Sequence, residues 1–139
     1  MKRFYYILIV LFLFTVSCSK DDNSQIPLVN VNLFLNMNNP EFINLNAPGG
    51  WVYYIGGSRG LIIYRVSTSD FNVYDRHCTF DSSNSCALVS VEVNNITGKD
   101  NCCGSQFLIT DGSITQGPAT LALKQYQTSF DGSVLHVFN

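Results

Sequence analysis

From residue 29 onward, short apolar stretches alternate with turn residues, and none of them keeps the 3.6-residue period of an amphipathic helix. The 87–93 stretch is typical of a half-buried strand, because every second residue from Ala87 is apolar. Asp111-Gly112 and Asp131-Gly132 are strong hairpin-turn signals. About ten short strands at this spacing predict an all-β fold, a small sandwich or barrel of antiparallel strands. The predicted strands are 29–34, 51–55 (with Trp51 in the core), 61–66, 71–74, 87–93, 107–109, a strand at Ile114, 120–123, 127–130 and 134–138.

Residues 1–17 have the pattern of a signal peptide. Lys2 and Arg3 precede an apolar run over 4–14 that is too short for a stable membrane span. Small or β-branched residues then lead directly to Cys18, an arrangement that resembles a bacterial lipobox. The resemblance implies cleavage before Cys18, lipidation of its thiol and attachment to a membrane through the lipid. The alternative is an ordinary secretory peptide in which Cys18 has no role.

The segment after Cys18 has the pattern of a second targeting signal. Ser19-Lys20-Asp21-Asp22-Asn23 resembles the lipoprotein export signal of Bacteroidetes, in which a Lys and acidic residues follow the lipidated Cys. This resemblance implies a lipid-anchored protein of the outer membrane, exposed at the cell surface; the alternative is a simple polar tether. The predicted organisation is a signal peptide over 1–17, a lipidated tether over 18–27 and a β domain over 28–139.

Composition and charge limit the classes of partner that this chain can bind. The 139 residues suffice for one domain, and 46% of them are hydrophobic, so a core can form. Removal of residues 1–17 takes away two of the eight basic residues and none of the ten acidic ones, which leaves a net charge of −4. Nucleic acid is not an expected partner, because phosphate binding needs clustered Lys and Arg.

Four cysteines remain besides Cys18: Cys78, Cys86, Cys102 and Cys103. An exported protein meets an oxidising compartment, where disulfides are the default state, and four cysteines allow three pairings. His77, Cys78, Cys102 and Cys103 could instead bind zinc. Adjacent residues in extended backbone point apart, however, and paired zinc ligands usually have two to four residues between them. No metal is therefore expected.

The 49–138 stretch resembles a Rieske-type iron–sulfur domain. That family carries C-x-H in one loop, C-x-x-H-G-S-x-F in a second, and then a Gly-Pro-Ala loop. The corresponding segments of this chain are Gly57-Ser58-Arg59-Gly60, Val73-Tyr74-Asp75-Arg76 before Cys78, Gly104-Ser105-Gln106-Phe107, and Gly117-Pro118-Ala119. The resemblance implies a Rieske-like fold.

The ligand positions differ from the family pattern. A Rieske cluster takes two Cys on one iron and two His on the other. The resemblance places Cys78 and Asp100 at the Cys positions, and Phe80 and Cys103 at the His positions. One ligand of four is retained by type, so no cofactor is expected. The alternative is a 2Fe-2S centre with altered ligands.

The resemblance also implies a disulfide arrangement. Many Rieske domains have two further cysteines that link the two loops; Cys102 lies at one position, and Cys86, displaced by the inserted residues 82–85, is the plausible partner. The favoured arrangement is Cys86–Cys102 with Cys78–Cys103. The second is Cys78–Cys102 with Cys86–Cys103, and a vicinal Cys102–Cys103 bond ranks last.

The expected function is that of a non-catalytic interaction or accessory module with an unidentified protein partner, and no catalytic residues are predicted. One alternative is an electron-transfer protein with a 2Fe-2S centre. Another is a thiol-redox protein that uses Cys102 and Cys103, but no C-x-x-C motif supports it.

Overall fold

A computed structural model describes residues 26–139, so Cys18, the predicted signal peptide and most of the predicted tether lie outside the described residues. The described part contains ten strands and one short 3-10 helix. No helix in residues 26–139 is long and apolar enough to cross a membrane. The strands are β1 Asn32–Asn36, β2 Trp51–Tyr54, β3 Leu61–Arg65, β4 Phe71–Asp75, β5 Val89–Val91, β6 Thr97–Asp100, β7 Gln106–Leu108, β8 Ile114–Gln116, β9 Gln125–Phe130 and β10 Val134–Phe138.

The strands form two antiparallel sheets. The larger has six strands in the order β1-β10-β9-β4-β3-β2, and the smaller has four in the order β5-β6-β7-β8. The all-β prediction is confirmed. Since consecutive strands of the smaller sheet are joined by hairpins, the loops between β6 and β7 and after β8 lie close together.

The central strands β3 and β4 are buried on both faces. Leu61, Ile63 and Val73 belong to one apolar cluster, and Ile62 and Tyr74 belong to a second cluster that includes residues of the smaller sheet. Full burial of each such side chain contributes roughly 1.5–3 kcal/mol. These strands are thus a rigid base for the loop that follows β4.

The 3-10 helix, Pro40–Leu45, closes one end of the larger sheet. It buries Phe42 and Leu45, and the Arg65 guanidinium donates to the Leu45 carbonyl over 2.7 Å. A helix this short has too few turns to show a helical period, so the sequence pattern did not predict the 3-10 helix.

The structure corrects the sequence prediction at two segments. Strand β6 was not expected, because three of its four residues, Gly98, Lys99 and Asp100, have low β propensity. It forms because Gly98 has no side chain: a Cβ there would lie 2.8 Å from Val89 Cγ1. The predicted strand at 120–123 is wrong, because these residues lie in the irregular loop between β8 and β9.

The prediction that Trp51 is largely buried agrees with its position at the margin of the core. Trp51 begins the edge strand β2, is partly buried and packs against the second apolar cluster. Its indole N–H donates to Asn95 Oδ1 over 3.0 Å. Indole rings commonly take such positions, where one side is apolar and the N–H finds a partner.

Candidate functional site

Three loops meet at one end of the smaller sheet. The first loop, 76–88, joins β4 to β5; the second, 101–105, joins β6 to β7; the third, 117–124, joins β8 to β9. All the cysteines of the described chain lie in the first two loops. The candidate site is therefore where the sequence placed it, although its composition differs from the expectation.

Asp75 fixes the start of the first loop. Its buried carboxylate accepts hydrogen bonds from the backbone N–H groups of Ser58 (2.6 Å), Arg59 (3.2 Å) and His77 (2.9 Å), and from the Tyr126 hydroxyl (2.8 Å). A buried carboxylate is tolerated only with such partners. Asp75 thus holds the β2–β3 turn, the first loop and β9 in one arrangement.

Arg59 fixes the far part of the same loop. Its guanidinium donates to the backbone carbonyls of Asn84 (2.8 Å), Ser85 (2.7 Å) and Ala87 (3.1 Å). The Cys78 N–H donates to the Ala87 carbonyl over 3.2 Å, which closes the loop on itself. The inserted residues 82–85 are therefore held by a side chain from the β2–β3 turn.

His77 is a structural residue, which corrects its candidacy as a metal ligand. Its Nε2 donates to the Ser82 carbonyl over 2.7 Å, since a carbonyl can only accept, and its Nδ1 then accepts from the Ser58 hydroxyl over 2.9 Å. Burial lowers the pKa of His77, which favours the neutral ring. Both ring nitrogens are occupied, and neither belongs to the group of converging donors described next.

Cys78, Asp100 and Cys103 converge at the centre of the three loops. One potential ligand atom from each lies within 4.8 Å of the others. The two Sγ atoms are 3.8 Å apart, and the Cys103 thiol lies 3.3 Å from Asp100 Oδ2. Cys78 and Asp100 are fully buried, whereas Cys103 is half-buried. Burial raises the pKa of the Cys78 thiol, and Asp100 raises it further.

The observed disulfide joins Cys86 to Cys102, with 5.7 Å between their Cα atoms, and it links the first loop to the second. Cys78 and Cys103 are free thiols in the structure. Their sulfur atoms are in contact but not bonded, so the expected Cys78–Cys103 bridge is not formed here. The pairings of Cys78 with Cys102, of Cys86 with Cys103 and of Cys102 with Cys103 are not present either.

Phe80 lies partly exposed, beside a cavity that it shares with two of the converging donors. Its side chain is 39% exposed and lines a cavity of about 190 Å³. The cavity also reaches Asp100 and Cys103, so it connects the donors with solvent. The remaining lining residues are Asp81, Asn84, Ala87, Cys102 and Pro118.

The third loop positions Ser105 beside Cys103. The Ala119 N–H donates to Ser105 Oγ over 2.9 Å, and Ser105 Oγ lies 3.1 Å from Cys103 Sγ. The Thr79 hydroxyl donates to the Leu121 carbonyl over 2.6 Å, which ties the third loop to the first. The Gly-Pro-Ala segment thus serves the site indirectly, through Ser105.

Comparisons with known proteins agree with this architecture. No family model and no curated protein matches the chain. Among solved structures, the chain is similar to the cyanobacterial plasma membrane Rieske protein PetC3 from Synechocystis PCC 6803, with a TM-score of 0.54 and 20% identity. The match covers 81% of this chain and 100% of that one. The likeness shows that this chain has a Rieske-like fold.

Within residues 26–139, the converging donors differ from the Rieske ligand set. That cluster is held by two Cys and two His. Here three donors converge, Cys78, Asp100 and Cys103, and none of them is a histidine. Phe80 offers no donor atom, and His77 is hydrogen-bonded elsewhere.

Proposed function

We propose that this chain is an outer-membrane lipoprotein, exposed at the cell surface, whose Rieske-like domain has lost its iron–sulfur cluster. In this proposal the domain is a non-catalytic interaction or accessory module for a protein partner. The observation that carries it is the donor set at the loop tips, where Phe80 and Asp100 stand at former ligand positions and three donors remain.

Direct contacts between the loops support an arrangement that does not depend on a cluster. The Cys86–Cys102 disulfide links the first loop to the second, and hydrogen bonds from Arg59 and to Asp75 fix the first loop at both ends. In a Rieske protein the cluster itself joins the two loops through its ligands. The disulfide and the hydrogen bonds would perform that task here, which supports the proposal that the domain folds without iron.

A hydrolytic role is not supported by the one pair that resembles a catalytic dyad. Ser58 and His77 are hydrogen-bonded, but His77 Nε2 faces the carbonyl of Ser82 and not a carboxylate. The Ser58 N–H, which an oxyanion hole would need, already donates to Asp75. Ser58 and His77 therefore belong to the support of the loop.

Membrane attachment is supported by the sequence before the described residues. Lys2 and Arg3, the apolar run and Cys18 form the lipobox-like pattern, and Lys20-Asp21-Asp22 forms the export-like pattern. The chain enters the domain beside β1, an edge strand of the larger sheet. Pro27, which precedes β1, accepts a hydrogen bond from Lys124 of the third loop over 3.3 Å, so a lipid on Cys18 would tether the domain next to that loop.

Export separates into two testable steps. C18S is expected to abolish lipidation, because the thiol that receives the lipid is absent. The triple variant K20A/D21A/D22A is expected to keep the lipid and lose surface exposure. Mass spectrometry of the N-terminal peptide reports lipidation, and digestion of intact cells by an external protease reports exposure.

A matched control replaces Asn23 and Ser24 with Ala and is expected to remain both lipidated and exposed. If the protease removes the triple variant from intact cells as readily as the parent, the export signal is wrong. If C18S still carries a lipid, the lipoprotein assignment is wrong.

A further inference from the structure

We propose that Cys78, Asp100 and Cys103 form a site for one thiophilic divalent cation, Zn²⁺, at the place where a Rieske domain holds two irons. The inference goes beyond the proposed function and rests on it in one respect, the loss of the cluster. The first argument is geometric. Two thiolates bound to one tetrahedral zinc at about 2.3 Å are separated by about 3.8 Å. The two Sγ atoms are 3.8 Å apart.

The Asp100 carboxylate fits the same tetrahedral site. With zinc–oxygen distances of about 2.0–2.2 Å, a sulfur and an oxygen ligand lie about 3.5 Å apart. Cys103 Sγ and Asp100 Oδ2 are 3.3 Å apart. Two of the three donor pairs thus lie within a few tenths of an ångström of the separations that one tetrahedral ion requires, and all three donors lie within 4.8 Å of one another. Because they come from different strands and loops, the objection that adjacent residues point apart does not apply to them.

The electrostatics of Asp100 also point to a cation. Asp100 is as fully buried as Asp75, yet the two carboxylates have different partners. Asp75 accepts four hydrogen bonds, three of them from backbone N–H groups. Asp100 accepts one backbone N–H, from Cys102 at 2.7 Å, and otherwise faces the thiols of Cys78 and Cys103. Thiols are weak donors, so a bound cation would satisfy this carboxylate better.

Hydrogen-bonding groups of Ser105 surround the Cys103 sulfur. The Ser105 N–H donates to Cys103 Sγ over 3.4 Å. The Cys103 thiol donates to Ser105 Oγ over 3.1 Å, and Ser105 Oγ also accepts the Ala119 N–H. Once a metal replaces the thiol proton, the Ser105 hydroxyl can donate to the sulfur instead. Hydrogen bonds to a metal-bound sulfur are a common outer shell of metal sites, and they stabilise the charged ligand.

The cavity beside Phe80 gives the ion a route and a fourth ligand. It has a volume of about 190 Å³ and is lined by both Asp100 and Cys103, which leaves room for a water molecule on the metal. Two thiolates favour zinc over magnesium or calcium, since soft sulfur ligands select thiophilic ions. The proposed set is thus two Cys, one Asp and one water.

The test uses the lipidated chain, extracted in detergent and purified anaerobically without chelator. Elemental analysis is expected to find one zinc per chain. Exchange with Co²⁺ alone is expected to give the visible bands of a tetrahedral thiolate site. D100N is expected to weaken zinc binding about 10- to 100-fold, a loss typical even of outer-shell changes. C103S is expected to abolish the bands.

The matched control is D81N, which changes an exposed acidic residue in the lining of the same cavity. It is expected to keep the zinc and the cobalt bands. Circular dichroism checks the fold of each variant, and the cobalt spectrum of the parent tests the site even if D100N or C103S fails to fold.

Other outcomes overturn the proposal in distinguishable ways. A metal-free parent that rejects Co²⁺ contradicts the zinc site and leaves the proposed function intact. A parent in which Cys78 and Cys103 are found bonded to each other, and which contains no zinc, also contradicts it. Two irons per chain would contradict both the zinc site and the loss of the cluster.

Discussion

Replacement of Asp75 by Asn is expected to lower the free energy of unfolding by about 3–5 kcal/mol. The carboxylate accepts four hydrogen bonds in a buried position, and an amide has one acceptor oxygen and a donor in place of the other. Each buried donor left without a partner costs about 1–3 kcal/mol. A domain of this size has a total stability of roughly 5–15 kcal/mol, so D75N removes a large share of it. Urea unfolding measures the change.

Y126F is the matched control, because it removes one of the four donors and leaves the carboxylate in place. Its expected cost is about 1 kcal/mol. A D75N variant no less stable than Y126F would show that Asp75 does not organise the first loop as described.

Reduction of the Cys86–Cys102 disulfide is expected to lower the melting temperature by about 10–20 °C. The two residues are 16 positions apart. In the chain-entropy model, a closed loop of about that length stabilises the fold by roughly 3 kcal/mol. A loss of 1 kcal/mol in the free energy of unfolding lowers the melting temperature by about 4–8 °C in domains of roughly 60–100 residues and by about 2–4 °C in domains of roughly 150–250 residues. This domain lies between the two size classes. Thermal unfolding with and without reductant measures the shift.

The double variant C86A/C102A separates this bond from the remaining thiols. It is expected to melt near the temperature of the reduced parent, and added reductant should not change it. A further drop on reduction would reveal a second bridge, between Cys78 and Cys103. A parent whose melting temperature does not respond to reductant would contradict the role given to the Cys86–Cys102 bond.

The fold could be predicted largely from the sequence, because turn residues and the alternation of apolar and polar residues in strands are visible in short segments. Asp131-Gly132 marks the hairpin between β9 and β10, and the observed strands lie near the predicted ones. Strand β6 shows no such alternation in its sequence. Its stability comes from its neighbours β5 and β7 and from the close approach that Gly98 allows, which are tertiary effects that override propensity.

The candidate site could be located from sequence, but its organisation could not. The motifs placed Cys78, Asp100 and Cys103 in two loops that converge. The sequence did not show that Asp75 and Arg59 hold the first loop, because their partners are backbone groups, which have no sequence signature. Nor did it show that His77 is buried and engaged at both nitrogens, since burial depends on packing.

The loss of the iron–sulfur cluster is the central claim, and iron analysis of the anaerobically purified, lipidated chain tests it most directly. The donors that converge are Cys78, Asp100 and Cys103, and Phe80, which the sequence resemblance places at a ligand position, has no donor atom. The account predicts no iron and no visible absorption in the protein as isolated. Two irons per chain together with a visible absorption band would contradict it and establish a 2Fe-2S protein with altered ligands.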